Sequence, residues 1–153
     1  MRLEWIRNLI REMAALYLAI GSNIGARKTN ILSALSFLNG ELGRYMALSE
    51  IIPTRALGFD GPVFLNCVVR YETRKRPETI LAICKTIERR LGRDDVPEYA
   101  SDGSRIYHNR IIDIDILIYG NLHIDTPELT IPHPQVETRP FVRPLLEQVR
   151  KND

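Results

Sequence analysis

Two acidic residues, Asp113 and Asp115, have the type and spacing that best fit a chemical role. They lie in segment 110–119, RIIDIDILIY, where β-branched residues and alternating polar and apolar positions predict a half-buried β-strand. Residues two apart in a strand point to the same side, so the two carboxylates share one face with Cα atoms roughly 6–7 Å apart. Carboxylates that close repel each other unless a cation separates them, and carboxylate oxygens suit hard cations such as Mg²⁺.

With Arg110 just upstream, this pair indicates metal-assisted phosphate chemistry. The alternative is a half-exposed strand whose outward positions are acidic without any function. In either case the isoleucines at positions 112, 114, 116 and 118 are predicted to share the opposite, buried face.

The composition predicts one globular domain with a sizeable core. The chain has 153 residues, of which 44% are hydrophobic and 26% charged. A formal net charge of +2 argues against nucleic acid as the main partner, and no apolar run approaches the roughly 20 residues that span a bilayer. Cys67 and Cys84 lie in apolar surroundings and are predicted to be buried thiols, which fits a reducing, cytoplasmic setting.

The first fourteen residues are predicted to form a helical extension that precedes a single domain at 15–153. Their apolar residues recur at helical spacing, with charged residues on the other side. No uninterrupted apolar run marks a secretory signal, and Glu4 and Glu12 argue against a transit peptide. The alternative is that Met13 is the natural start.

The order of the predicted elements indicates an α+β, ferredoxin-like fold. Glycines at 21–25 turn the chain after the first strand, and the polar stretch from 93 to 109 is longer than an ordinary connection. An order of β-α-β-β-α-β predicts an antiparallel sheet with two helices on one face. The elements are a strand at 16–20, a helix at 26–38, strands at 46–52 and 63–71, a helix at 77–91 and the strand at 110–119.

Alternation on the third strand places a possible binding surface beside the two acids. Leu65, Cys67 and Val69 share one face, which we expect to pack against the helices. Phe64 and Asn66 then lie on the open face together with the aspartates. An aromatic ring and a side-chain amide next to two carboxylates suit a flat heterocyclic ligand.

Four segments, in this order, give the chain a resemblance to a known family. The segments are Ala19-Ile20-Gly21-Ser22-Asn23, Phe64-Leu65-Asn66, Arg110 to Leu117, and Leu129-Thr130-Ile131-Pro132-His133-Pro134 followed by Arg139 and Phe141. Each segment alone is weakly or moderately specific, whereas the ordered set is highly specific. Over roughly Ala15 to Leu146, the sequence resembles the 6-hydroxymethyl-7,8-dihydropterin pyrophosphokinases of folate biosynthesis.

The resemblance implies an enzyme that transfers pyrophosphate from ATP to the hydroxymethyl group of the dihydropterin and releases AMP. Positioning and charge neutralisation carry such chemistry. By this likeness, Asp113 and Asp115 hold two Mg²⁺ ions, and Arg93 and Arg110 act as catalytic arginines at the phosphates.

The same likeness assigns the two substrate sites. Phe64 and Phe141 are expected to sandwich the pterin ring, Asn66 to read its edge, and the segment from Thr54 to Leu57 to complete that recognition. The expected partners are ATP and the dihydropterin, with no nucleic acid, no membrane and a monomeric state. The residues expected to contact ATP are Glu88, Arg110, Ile116, Thr130, His133 and Arg139.

The chain departs from the family pattern mainly in the loop between residues 93 and 110. This loop is several residues longer than in familiar members, Asp94 and Asp95 stand where a second basic residue is often found, and Tyr107 replaces the usual tryptophan. The chain also ends soon after Leu146, which predicts little C-terminal structure.

Two other functions are compatible with parts of the pattern. Nucleotidyl-transfer and cyclase-type domains also place paired metal-binding carboxylates on an antiparallel sheet, although they need no pterin clamp. A non-catalytic ligand-binding or assembly module derived from the same fold fits the altered loop. Such a module would have little reason to keep two acids that repel each other.

Overall fold

The computed structural model describes residues 12–55, 61–93, 98–103, 105–106 and 110–151. The predicted N-terminal helix up to residue 11, the predicted pterin contact at Leu57 and the predicted substitute Tyr107 lie outside the described residues. The first strand begins at Ala14, the last residue of the predicted extension.

The described elements form the predicted antiparallel sheet with helices. The elements are β1 (Ala14–Ser22), α1 (Arg27–Leu42), β2 (Ala47–Leu48), β3 (Ile52–Thr54), β4 (Phe64–Thr73), α2 (Pro77–Arg90), β5 (Glu98–Tyr99), β6 (Arg105–Ile106), β7 (Asp113–Tyr119), β8 (Ile124–Asp125), β9 (Thr130–Ile131), α3 (Gln135–Thr138) and α4 (Val142–Val149). The predicted second strand is thus divided into two short ones, β2 and β3. Strand order is β2-β4-β1-β7, with β3 also paired to β4, which is the ferredoxin-like arrangement expected from the sequence.

The main core lies between one face of the sheet and helices α1 and α2. The apolar residues of the two helices recur every three or four positions, so each helix presents one buried stripe to the sheet. Cys67 and Val69 face this core as predicted, and both cysteines are free thiols. We call this cluster the helix-side core; its buried members include Leu16, Leu18, Ile20, Ile31, Leu35, Leu38, Ile80, Cys84, Ile87, Ile112, Ile114 and Ile116.

A β-bulge interrupts the regular alternation of β7. Leu18 pairs with Ile116 while the preceding residue Tyr17 pairs with Ile118, so Leu117 is an extra residue in the ladder. The prediction that Ile118 shares a face with the three preceding isoleucines is therefore wrong. Leu117 and Ile118 both pack on the opposite side of the sheet. The bulge lies beyond the aspartates, so their shared face is unaffected.

Helix α4 covers part of the sheet face opposite α1 and α2. The apolar spacing of three and four residues in this segment forms an amphipathic helix, which continues for three residues past Leu146. The Arg70 Nε donates a hydrogen bond of 2.7 Å to the Val149 carbonyl at its end. We call this second core the C-terminal cluster; it contains Tyr17, Ala19, Val68, Leu117, Val142, Leu145, Leu146 and Val149.

Truncating Leu145 tests the contribution of this cluster. The side chain is 1% exposed, so Leu145→Ala should leave a cavity and lower the free energy of unfolding by about 2–5 kcal/mol. Urea unfolding followed by circular dichroism measures the change. Leu32→Ala is the matched control, since this helical leucine is 48% exposed. Equal losses in the two variants would show that α4 does not pack as described.

Candidate active site

Three neighbouring strands place Asn66, Gly21 and Asp113 in one cross-strand row. Gly21 of β1 is paired with Asn66 of β4 on one side and with Asp113 of β7 on the other. Directly paired residues in adjacent strands point to the same side of a sheet. Since strands lie about 4.8 Å apart, the outer two residues are separated by roughly 10 Å. One face of the sheet thus carries both Asn66, which is predicted to recognise the pterin, and Asp113, which is predicted to bind a metal ion.

Gly21 gives the Asn66 side chain its position. A Cβ added at Gly21 would lie 2.4 Å from the Asn66 Oδ1, so the amide occupies the space that any other residue would fill. The Asn66 Nδ2 donates a hydrogen bond of 2.5 Å to the Thr54 Oγ1. The prediction that the turn begins at Gly21 is wrong, because β1 continues through Ser22. The turn begins at Asn23.

Arg93 connects β7, the strand that carries the two predicted metal ligands, to α2. Its Nη1 donates a hydrogen bond of 2.7 Å to the Asp113 Oδ1, and a second to the Glu88 Oε2. The Arg93 side chain is 9% exposed, the Asp113 side chain 34% and the Glu88 side chain 0%. The predicted catalytic arginine and one predicted metal ligand are therefore brought together.

The outer edge of β7 is held by groups from outside the sheet. The backbone N–H of Ile114, between the two aspartates, donates a hydrogen bond of 2.8 Å to the Glu88 Oε2. Further along, the His133 N–H donates to the Leu117 carbonyl at 2.8 Å. The inner edge of β7 pairs with β1. Both edges of the aspartate strand are thus fixed.

The acids at this edge destabilise one another's charged forms. Burial raises the pKa of Asp115 well above its usual range, and the nearby charges of Asp113 and Glu88 raise it further. Burial also raises the pKa of Glu88, while Arg93 opposes that shift. A cation at the two aspartates would relieve this repulsion.

The donor set at this edge fits Mg²⁺. Within the described ranges no group of three or more His, Cys, Asp or Glu side chains could hold a metal ion, so the aspartates do not form a complete protein cage. Mg²⁺ commonly uses only one or two carboxylates and takes its other ligands from water and substrate phosphates. Paired hard oxygen donors beside basic side chains match that pattern.

His133 is arranged as a neutral hydrogen-bond donor. Its Nδ1 accepts a hydrogen bond of 3.1 Å from the Gln135 N–H, which leaves the proton of the neutral ring on Nε2. Burial lowers the pKa of His133, and the charge of Asp113 opposes the change. At neutral pH the ring therefore presents an N–H donor without a positive charge.

Arg139 and Phe141 contact each other through a cation–π interaction. The guanidinium carbon of Arg139 lies 4.8 Å from the centroid of the Phe141 ring, within the range of a cation–π contact. Burial lowers the pKa of Arg139, and the charges of Asp113 and Asp115 oppose the shift. These couplings place Arg139 in the field of the same two acids.

Arg110 is positioned through its backbone by Asn23. The Arg110 N–H donates to the Asn23 Oδ1 at 2.6 Å, and the Asn23 N–H donates back to the Arg110 carbonyl at 3.0 Å. The Asn23 Nδ2 also donates to the Pro62 carbonyl at 3.1 Å. Sequence reasoning gave Asn23 no role of its own, although it lies in one of the four family-like segments.

The other predicted site residues are distributed around this centre. Phe64 begins β4, paired with Thr54 of β3, so both stand near Asn66. Thr130 is half-buried in β9, which pairs with β8. The Ile116 side chain lies in the helix-side core, so any contact with a nucleotide must come from its backbone.

An antiparallel sheet whose edge presents paired carboxylates among arginines is typical of enzymes that transfer phosphoryl groups. The chain matches the family described as 7,8-dihydro-6-hydroxymethylpterin-pyrophosphokinase over residues 17–151. It belongs to this family. The predicted enzyme class, a pyrophosphokinase that acts in folate biosynthesis, is thereby confirmed, and neither the nucleotidyl-transfer alternative nor the non-catalytic alternative is supported.

Individual relatives agree with the family match. The chain is 42% identical over 139 residues to a 2-amino-4-hydroxy-6-hydroxymethyldihydropteridine pyrophosphokinase of Porphyromonas gingivalis, covering 90% of this chain and 91% of that protein. It is 37% identical over 137 residues to the Aquifex aeolicus protein of the same name, covering 88% and 80%. It is 39% identical over 134 residues to the mitochondrial folate synthesis bifunctional protein of Pisum sativum, covering 85% of this chain and 24% of that protein.

Pyrophosphokinase activity generally requires a divalent metal ion, which agrees in outline with the predicted cofactor. The number and identity of the ions remain predictions. None of the helices in the described part of the chain has the length and apolar character needed to cross a bilayer.

Replacing Gly21 tests the arrangement of the cross-strand row. Gly21→Ala should push the Asn66 amide out of place and weaken binding of a 6-hydroxymethylpterin ligand by about ten-fold or more, since one lost polar contact of this kind costs 1–3 kcal/mol. Calorimetric titration of the ligand measures the change.

The matched control is Gly40→Ala in α1, where an added Cβ would meet nothing within 4 Å. We expect this variant to bind normally and to gain about 0.5–1 kcal/mol of stability. Normal pterin binding by Gly21→Ala would contradict the inference that the absence of a side chain at Gly21 makes room for the Asn66 amide.

Proposed function

We propose that this enzyme transfers pyrophosphate from ATP to the hydroxymethyl group of 6-hydroxymethyl-7,8-dihydropterin and releases AMP, with the chemistry centred on Asp113 and Asp115. The observation that carries this proposal is the cross-strand row of Asn66, Gly21 and Asp113. This row supports a binding surface on which the heterocycle lies at the Asn66 end and the phosphates lie at the Asp113 end. The reacting hydroxymethyl group would then lie between the two ends.

Asp113 and Asp115 would hold two Mg²⁺ ions, which when bound neutralise the phosphate charges and favour the attacking alkoxide. The proposal is supported by the carboxylate oxygens, by the burial and the repulsion from Asp113 and Glu88 that raise the pKa of Asp115, and by the fixed edges of β7. Rigid placement matters because phosphoryl transfer depends on alignment more than on covalent participation by the protein.

The pterin would bind between Phe64 and Phe141, with Asn66 at its edge. Flat rings stack on aromatic faces, and a side-chain amide can donate and accept at once. The Asn66 amide is oriented by Thr54 and Gly21 before any ligand arrives. Such preorganisation reduces the entropy lost on binding. The predicted contribution of Leu57 stays a prediction.

The triphosphate would be held by basic and neutral donors that surround the aspartates. Arg93, Arg110 and Arg139 supply guanidinium groups, whose fork of N–H donors suits phosphate oxygens. His133 supplies a neutral N–H from Nε2, an orientation supported by its contact with the Gln135 backbone. Thr130 and the backbone of Ile116 are the remaining proposed ATP contacts. The monomeric state and the cytoplasmic location stay predictions.

An assay of AMP release tests the reaction and its metal site together. The purified protein should release AMP only when ATP, Mg²⁺ and the dihydropterin are all present. Asp115→Ala should lower turnover by about 10²-fold or more, as losses of a charge-stabilising group do, while pterin binding stays largely intact.

Asp125→Ala is the matched control, because Asp125 is an exposed aspartate on another short strand. It should retain normal turnover. AMP release without pterin would contradict the reaction, and near-normal turnover by Asp115→Ala would contradict the metal assignment.

Truncation of Phe64 tests the pterin clamp. Phe64→Ala should weaken pterin binding by about ten-fold, since stacking contributes roughly 0.5–1.5 kcal/mol beyond the buried area, and should change the affinity for a non-hydrolysable ATP analogue less than two-fold. Separate calorimetric titrations measure the two affinities. Phe37→Ala on the outer surface of α1 serves as control, with 37% of that side chain exposed. Equal losses for both ligands would count against the clamp.

A further inference from the structure

We propose that Glu88 is a positioning residue that holds the metal-binding edge of β7 and Arg93 in place, and that it does not contact the nucleotide. The resemblance to the family implies a place near ATP for Glu88. The run of charged residues Glu88-Arg89-Arg90 is by itself typical of a solvated helix face. This inference rests on the proposed role of Asp113 and Asp115 as metal ligands.

Glu88 is buried more completely than Asp113. Its side chain is fully buried, whereas 34% of the Asp113 side chain is exposed. The Glu88 Oε2 accepts hydrogen bonds from the Ile114 N–H and the Arg93 Nη1. The Oε1 makes no hydrogen bond and lies 3.5 Å from the Lys85 Nζ. Protein groups therefore occupy the surroundings of this carboxylate.

Helix stability does not account for this placement. Glu88 lies in the last turn of α2, which ends at Arg90. The C-terminal end of a helix carries partial negative charge, which disfavours a carboxylate there. A buried carboxylate is also costly unless it is paired and hydrogen-bonded. The cost of burying this carboxylate is offset by the Ile114 N–H of β7 and by the Arg93 guanidinium. These partners point to a function of Glu88 at the outer edge of β7.

The first of these partners is the backbone between the two aspartates. Ile114 lies on the outermost strand of the sheet, and its N–H would have no strand partner on that side. A buried N–H without a partner is destabilising. By accepting this bond, Glu88 fixes the Asp113–Ile114 peptide, which lies between the two aspartate side chains. It thereby holds in place the backbone that carries the proposed metal ligands.

The second partner is Arg93, which Glu88 shares with Asp113. The negative charge of Glu88 offsets part of the attraction that would otherwise bind Arg93 to Asp113 alone. With a neutral residue at position 88, Arg93 would pair more strongly with Asp113 and compete with a metal ion for that carboxylate. Glu88 therefore keeps Asp113 available while holding the arginine nearby.

Two substitutions separate the two roles of Glu88. Glu88→Gln keeps an oxygen acceptor for the Ile114 N–H but removes the charge, and Glu88→Ala removes both. Exposed Glu78 in the first turn of α2 offers the matched control Glu78→Gln. Three quantities are measured: Mn²⁺ binding by electron paramagnetic resonance without nucleotide, exchange of the Ile114 amide by NMR, and affinity for a non-hydrolysable ATP analogue at saturating Mg²⁺.

We expect Glu88→Gln to weaken Mn²⁺ binding by about 10–100-fold, as losses of groups that support metal ligands do, with protection of the Ile114 amide retained. Glu88→Ala should weaken Mn²⁺ binding at least as much and also speed exchange of that amide by about ten-fold or more. In both variants the affinity for the ATP analogue at saturating Mg²⁺ should fall by a smaller factor than the affinity for Mn²⁺, because Glu88 acts on the nucleotide only through Arg93 and the metal ligands. Glu78→Gln should match the parent protein in every measurement.

Weaker binding of the ATP analogue at saturating Mg²⁺, with Mn²⁺ binding and Ile114 exchange unchanged, would overturn the inference and make Glu88 a nucleotide contact. Loss of Mn²⁺ binding without faster exchange in Glu88→Ala would overturn the anchoring of β7. Failure of the proposed metal site is distinguishable, because Asp115→Ala would then bind Mn²⁺ normally, whereas Ile114 exchange reports on Glu88 without any metal.

Discussion

The site depends on holding three carboxylates close together without letting their repulsion move the strand that carries two of them. Asp113 and Asp115 lie on the outermost strand of the sheet, where only one edge is supported by a neighbouring strand. Glu88 supports the other edge through the Ile114 N–H, and Arg93 bridges Glu88 and Asp113. The same groups thus supply backbone pairing and charge balance, which makes the edge both rigid and electrostatically prepared for a cation.

The absence of a side chain at Gly21 joins the two halves of the site. Gly21 is paired with Asn66 on one side and with Asp113 on the other, so any Cβ there would displace the amide. Helix α4 covers a different part of the same face through the C-terminal cluster. One face of the sheet therefore carries both the candidate site, at the row of Asn66, Gly21 and Asp113, and the apolar residues that α4 covers.

Much of this arrangement could be predicted from residue patterns. Alternation along β4 and β7 correctly assigned Asn66 and the aspartates to one face, because strand periodicity is local. The spacing of Val142, Leu145, Leu146 and Val149 is likewise sufficient to predict an amphipathic helix at the position of α4. The bulge at Leu117 was not predictable, because it depends on how β7 fits against β1.

Residue patterns alone are enough to predict the order of elements, the shared face of Asp113 and Asp115 and the family to which the chain belongs, since each is carried by local periodicity or by ordered motifs. The surroundings of Glu88 and Gly21 depend instead on how the chain folds. The local sequence predicts a solvated helix face for Glu88 and a turn for Gly21. In the folded chain, Glu88 lies against the Ile114 amide and Gly21 lies next to the Asn66 side chain. These roles are set by contacts between residues 26 and 45 positions apart, and such contacts leave no signal in local spacing.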